Sequence, residues 1–318
     1  MSPQRVEVIR NRPRDRGVFE GLVGILNILI ETLTPLHITS PQMPLKVDEE
    51  HLRRVLERYG GINESSVEEV CFEEHYTPFL TSAGRPTIPG SSVKGNVRAR
   101  LELSFRAVDG RVRSCFLMAG RLTRPPSRGR HGWRHHKLWG DVLMEERKPC
   151  NFLREGRVCL ICDLFGAPGL KSLIDFSDFV GEEIELQPME LGMGVRILAA
   201  PRGSSFRGKI TFRNLKPHEL GLLLLGMGLK EGRVGGPRLL GRFKYRTHLG
   251  RVRYVVEALT LSRYSTPLRF PSIEVEAGEE IVRKEINPIV EALTREAMRE
   301  YGEELTLIEE VEVVERIR

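Results

Sequence analysis

The order of apolar segments along the chain predicts an α+β protein with a ferredoxin-like (RRM-type) core and large insertions, and cysteine spacing predicts that one of these is zinc-stabilised. Three observations carry this expectation. A β-branched apolar run over residues 18–34 reads as a long central strand. Residues 91–105 and 217–230 read as helices, the second opened by Pro217 near its first turn. Between them lie strand-like segments at 173–178 and 206–214, giving the order strand, helix, strand, strand, helix, strand once a last strand follows residue 244.

Composition bounds the rest. A chain of 318 residues is long enough to bury a sizeable core, and 40% hydrophobic with 29% charged residues is the balance of a soluble globular protein. No run of about eighteen apolar residues occurs, so no membrane span is expected. Residues 1–17 are polar and carry Arg5, Arg10, Arg12, Arg14 and Arg16 without an apolar centre. That excludes a secretory signal and predicts a flexible basic arm in a cytoplasmic protein. Heavy use of Arg, Glu and Val, with few Asn or Gln, is compatible with a thermophile.

The net charge of +6 decides little, but its distribution is informative. Residues 111–140 hold eight Lys or Arg, three His and no Asp or Glu, which favours a polyanionic partner. Trp133 and Trp139 are interleaved among charges in this insertion, a pattern that suits base stacking as well as phosphate neutralisation.

The stretch around which the chain is organised is Ile88-Pro89-Gly90-Ser91-Ser92-Val93-Lys94-Gly95-Asn96-Val97-Arg98. It reads as the end of an extended segment, a Pro-Gly corner and a helix start, with Ser91 or Ser92 as N-cap. Amides at the helix start, two hydroxyls, the Lys94 ammonium and Arg98 one turn on make a candidate anion site. It is not a nucleotide-binding P-loop, because Asn96 follows Gly95, and residues 203–209 end in Ile210 where a hydroxyl is needed. A second basic loop runs from Gly232 to Phe243 with Arg233, Arg238 and Arg242 among four glycines, so that amides and guanidinium groups can approach phosphates.

Metal chemistry is signalled by Cys159-x-x-Cys162 with Cys150 nearby, the spacing by which thiolates share one tetrahedral structural zinc ion. His136 is the predicted fourth ligand, with His135, His131 and Cys115 as rivals. Without a secretory signal, clustered Cys point to metal before disulfides.

The 88–98 stretch closely resembles the signature of the RAMP proteins of CRISPR systems. Within them the chain looks like the guide-RNA-binding backbone subunit of type III-A (Csm) effector complexes. The Cys-x-x-Cys-x-Leu-Phe-Gly segment ending at Gly166 is similar to that of zinc-bearing members. The resemblance spans roughly residues 18–244. It implies a single-stranded RNA (guide crRNA) binding scaffold that polymerises along the RNA in an antiviral interference complex, meeting target RNA, copies of itself and other subunits. The RNA-binding residues implied are His37, Ser91, Ser92, Lys94 and Arg98, with Arg233 and Arg238 in the glycine-rich loop. A projecting thumb is implied near residues 191–208, with Met193, Val195 and Ile197 as wedge side chains.

The chain departs from the family at two places. Thr39 stands where the family has Gly. His75 or Tyr76 stands where nuclease members carry a catalytic Asp, so no catalytic residue is assigned, although Glu73, Glu74 and His75 offer ligands for a cation. The alternative function is a RAMP endoribonuclease acting on target or precursor-guide RNA. The expected organisation is a core of 18–36, 88–106 and 170–247, insertions at 37–87 and 107–169, and a C-terminal extension at 248–318.

Overall fold

The computed structural model describes residues 7–41, 48–68, 76–115, 149–192, 194–245 and 248–316. The long strand predicted near the N-terminus is β1 (Leu22–Thr32), and its burial alternates along the first half as expected for a strand with one face on the core. Helix α1 (Glu49–Tyr59) starts where the Asp48 carboxylate accepts the His51 N–H at 2.9 Å, and stops at Gly60 in the left-handed region. Strand β2 (Arg85–Ile88) leads through Pro89 into α2 (Gly90–Ser104). After the described part of the basic insertion come α3 (Leu160–Phe165), β3 (Ile174–Phe176) and β4 (Phe179–Gly181).

A separate hairpin follows, β5 (Gln187–Glu190) with β6 (Arg196–Ala199), in place of the 191–208 bounds expected. Then come β7 (Ser205–Leu215), α4 (Pro217–Gly226), the short β8 (Arg238–Leu239) and β9 (Arg251–Leu261). The chain closes with α5 (Ile286–Tyr301) and α6 (Glu310–Arg316). The last described segment, rich in Val and Glu, is thus a helix. Glu310 and Val314, four residues apart, are both buried, which is the helical period, and this overrides the β-branched content of the segment.

The main sheet runs β8, β9, β1, β7, β4, β2, with β3 also paired to β7, and these pairs are antiparallel. Strand β9, beyond the residue 247 boundary drawn from the sequence, is therefore a full partner of β1. Leu26, Ile28 and Ile30 of β1 join Val93, Val97 and Leu101 of α2 and the leucines of α4 in one core. Lys209 and Thr211 of β7, by contrast, are on the other, open face and exposed. None of the described helices is long and apolar enough to cross a membrane.

Two glycines are required by close packing. A Cβ on Gly24 would lie 2.3 Å from the Thr260 carbonyl oxygen of the neighbouring strand. One on Gly221 of α4 would lie 1.9 Å from the Leu293 carbonyl oxygen of α5. Gly221→Ala is therefore expected to push the two helices apart and cost about 3 kcal/mol, read as a lowered urea midpoint with unchanged slope.

Candidate nucleic-acid interface and metal centre

Helix α2 opens at Gly90, so Ser91 and Ser92 sit inside the first turn, both exposed, and neither is the cap predicted from the sequence. The Pro89 carbonyl accepts the Ser92 and Val93 N–H groups at 2.9 and 3.2 Å, and the Asp178 carboxylate accepts the Gly90 N–H at 2.8 Å. Glycine is demanded at position 90 because a Cβ would meet the Phe176 and Ser177 carbonyl oxygens at 2.3 and 2.5 Å. The turn itself does not require it.

Lys94 is half-buried. Its ammonium donates to Ser172 Oγ at 2.8 Å and lies 3.5 Å from Asp175, which in turn accepts from Ser172. Burial lowers the Lys94 pKa, and Asp175 offsets part of that effect. Asp175 and Asp178 thus occupy the cationic and N–H positions that a phosphate would use.

The flanks of α2 are fixed by two arginines. Arg98 donates to Glu102 at 2.8 Å, to the Gly166 carbonyl at 3.0 Å and to Cys162 Sγ at 3.4 Å. Arg100, on the opposite side, donates to the Gly226 carbonyl at 2.7 Å, to Asn96 at 3.0 Å and to Glu310 at 2.6 Å. Asn96 also donates to the Leu239 carbonyl of β8 at 2.9 Å. What remains exposed along the helix is Ser91, Ser92, Gly95 and Ala99, a narrow polar stripe between the cysteine lobe and the glycine-rich loop.

In that loop the arginines divide. Arg238 is buried, its guanidinium on the Pro237 carbonyl and on Glu309 at 2.6 Å. Burial opposes ionisation of Glu309, but Arg238 and Lys230 outweigh it and hold the carboxyl at about 2. Arg233 is half-buried, with its backbone N–H on Asn287. Arg242, which the sequence reading counted in the loop but did not assign, is the exposed one, its guanidinium 5.2 Å from the Phe243 ring centre. No spacing rule separates the inward arginine from the outward one. Both follow glycine-containing turns, and only the path of the loop decides.

His37 is fully buried and acts as a keystone. Its Nδ1 is 2.7 Å from the Leu198 carbonyl, which can only accept, so Nδ1 carries the proton and Nε2 accepts from the Thr39 hydroxyl at 3.0 Å. Burial holds its pKa below the ordinary value, with Arg242 adding to that effect and the Leu198 bond opposing it. The ring lies 6.2 Å from Phe79 edge-on and 6.2 Å from Phe243 in a stacked arrangement. Its carbonyl accepts the Arg242 N–H at 3.0 Å, and Gly241, at φ +81°, has no room for a Cβ against that same oxygen. His37 therefore ties the end of β1, the β5–β6 hairpin and the glycine-rich loop together, and the Thr39 hydroxyl holds its second ring nitrogen. Of the expected wedge residues, Ile197 is buried against Ala199 and Leu249, Val195 is half-buried, and Met193 lies outside the described residues.

The metal prediction meets a built cluster. Cys115, Cys150, Cys159 and Cys162 are all buried, with their four sulfurs within 4.8 Å of one another. Cys115 Sγ lies 3.4 Å from Cys162 Sγ and 3.6 Å from Cys159 Sγ. A zinc ion with Zn–S bonds of about 2.3 Å needs sulfurs about 3.8 Å apart, so the set fits a tetrahedral thiolate centre. The fourth thiol is Cys115, a rival to His136 at the sequence level; His136, His135 and His131 lie outside the described residues, as do Glu73, Glu74 and His75. Four thiolates around a divalent ion carry two negative charges. Arg10 Nε, 3.3 Å from Cys150 Sγ, and Arg98 on Cys162 supply two positive ones. The arm expected to be flexible is thus anchored at its described residues. Arg14 pairs with Asp163 at 2.9 Å and Glu219 at 2.5 Å, and Arg16 pairs with Asp163 at 2.7 Å.

A family model described as the RAMP superfamily matches residues 29–312. No curated protein matches the chain.

Two outcomes follow from this geometry. Titration of metal-free chain with Co²⁺ is expected to give one ion per chain with intense sulfur-to-cobalt charge-transfer bands. Cys115→Ser should weaken those bands, and Arg10→Ala should lower the affinity about tenfold through the lost neutralising charge. The buried His37 ring binds fewer protons in the folded than in the unfolded chain. Stability is then full above the ordinary value of 6.5 and falls as pH drops below it. His218 shifts in the same direction, so His37→Phe should flatten only part of the slope of unfolding midpoint against pH between 7 and 5.

Proposed function

The chain belongs to the RAMP superfamily, and from that premise we propose that it is an RNA-binding scaffold subunit of a type III CRISPR antiviral complex. It would polymerise along a single-stranded guide RNA as the Csm backbone subunit does, beside target RNA and further copies of itself. The observation that carries the reading is the exposed stripe of α2. Ser91, Ser92 and Gly95 form a surface without bulky side chains, with Lys94 at one side and Arg242 on the neighbouring loop. Such a surface lets a sugar–phosphate backbone approach the helix closely and reads no bases, which suits a protein that holds many different guides.

The strand order β9, β1, β7, β3 with α2 and α4 as crossover helices supports a ferredoxin-like core bearing insertions at 37–87 and 107–169. The four-cysteine cluster supports a structural zinc ion that clamps the second insertion onto α2 through Arg98. In this reading His37 positions the loops around the RNA path and does not touch the RNA, Arg238 braces the glycine-rich loop, and Arg242 faces the phosphates. Asp178 gives up its hold on the Gly90 amide when phosphate arrives, while Lys94 keeps Asp175 and turns a remaining N–H donor to the phosphate.

Lys94→Ala and Arg242→Ala are each expected to weaken binding of unstructured RNA about three- to tenfold at 0.1 M salt and to reduce the slope of log K against log salt by about one. Unchanged affinity and slope in both variants would refute the assignment. Incubation with Mn²⁺ on denaturing gels separates the scaffold from a nuclease: intact RNA supports the former, and metal-dependent cuts support the endoribonuclease reading.

A further inference from the structure

The open face of the main sheet carries a feature that the RNA path along α2 does not use. Phe19, just before β1, and Tyr264, just after β9, stack with ring centres 5.4 Å apart and planes 10° from parallel. Both stand in water, at 55% and 54% exposure, and Val18 beside them is also exposed. Arg263 covers the pair from the Tyr264 side, its guanidinium carbon 4.7 Å from the ring centre and Nη2 bonded to the hydroxyl at 2.6 Å. An aromatic pair pre-stacked and braced by a cation, yet left in solvent, forgoes the burial that normally places such rings in a core.

Phe19 also lines a cleft of about 450 Å³ over the sheet. Its floor is formed by Val23 and Ile25 of β1, Thr211 of β7 and Thr260 of β9, with Leu173 beside them. Lys171 and Arg213 are also in its lining. Lys209 stands two residues from Thr211 on the same face of β7. Neither Lys171 nor Lys209 has an ion pair to a described residue, and both are exposed. The acid in the lining, Asp175, is already held by Ser172 and Lys94. The volume lies in the range of small-ligand sites, roughly 300–1,000 Å³. An apolar floor, an aromatic stack at one end and uncompensated cations nearby match a nucleobase with its phosphate. An apolar protein segment would use the floor and leave the cations unanswered.

We propose that this cleft is a second RNA subsite, in which one base of a single strand stacks on Phe19 while its phosphates meet Lys171, Lys209 and Arg213. The proposal rests on the scaffold reading and extends it. The Lys94–Asp175 contact places the cleft beside the grip on α2, so a strand leaving the helix crosses β3 onto the open face. The site lies at one end of the sheet, where loop residues supply the exposed rings, and Phe212 of β7, also in the lining, is buried.

The test uses the full chain and oligouridylates that carry a single 2-aminopurine or 4-thiouridine. The wild type is expected to quench 2-aminopurine on binding and to crosslink through Phe19 or Tyr264, read by mass spectrometry of the joined peptide. The double change Phe19→Ala with Tyr264→Ala should abolish the quench and weaken affinity about tenfold, on the scale of one stacked base, with the salt slope unchanged. Lys209→Glu, on an exposed strand position, should lower affinity and leave the fold intact. If wild-type RNA binding depends on Lys94 while the aromatic variant retains full affinity and quenching, the subsite is overturned and the scaffold reading stands. If the aromatic variant keeps its RNA affinity but loses self-association, the face is a protein docking surface and the proposal is wrong. If the wild type binds no RNA at all, both readings fall together.

Discussion

Helix α2 is held by two arginines that leave it in opposite directions, and the rest of the molecule is arranged around that grip. Arg98 reaches the sulfur cluster and the Gly166 carbonyl, and Arg100 reaches Glu310 of the last helix. The Arg100–Glu310 pair is almost wholly buried, so loss of one partner strands a charge at a cost of about 3–5 kcal/mol. Glu310 also accepts the Leu239 N–H, which fixes β8 and hence the start of the loop that carries Arg242. Residues as much as 210 positions apart thereby determine one short exposed surface.

Charge counting and charge placement give different answers here. The described arginines of the N-terminal arm look like free cations in sequence, yet Arg10, Arg14 and Arg16 are bound to a sulfur, to Asp163 and to Glu219. Asn214, at φ +54°, completes the anchor by accepting the Glu20 N–H and donating to the Asp15 and Val18 carbonyls. Arg238 is likewise consumed by Glu309. A net charge of +6 therefore understates how few cations face outward near α2 and how much the surface depends on individual side chains such as Arg242 and Lys209.

The two faces of the sheet divide the labour. One is sealed by α2, α4 and α5, whose tight contact at Gly221 and Gly90 leaves little freedom for the helices to shift. The other is open, and its ion pair of Arg207 to Glu257 is worth little in solvent. A rigid sealed face holds the α2 stripe in place, and the open face is left available for contacts that need apolar floor and cations together.

Much was legible from the sequence because it depended on local patterns. The α+β class, the central strand, the helices α2 and α4, and the choice of Cys159 and Cys162 as candidate metal ligands follow from periodicity and spacing, which act over a few residues. The tertiary structure decided what depends on residues far apart. It brought Cys115 to Cys159 across 44 positions, closed β9 against β1, turned the terminal segment into a helix by burying Glu310 and Val314, and made His37 a keystone. It also chose which of the loop arginines points inward. The physical reason is the same throughout: a residue's chemistry is written in the chain, but its availability is set by the partners that folding brings within a few ångströms.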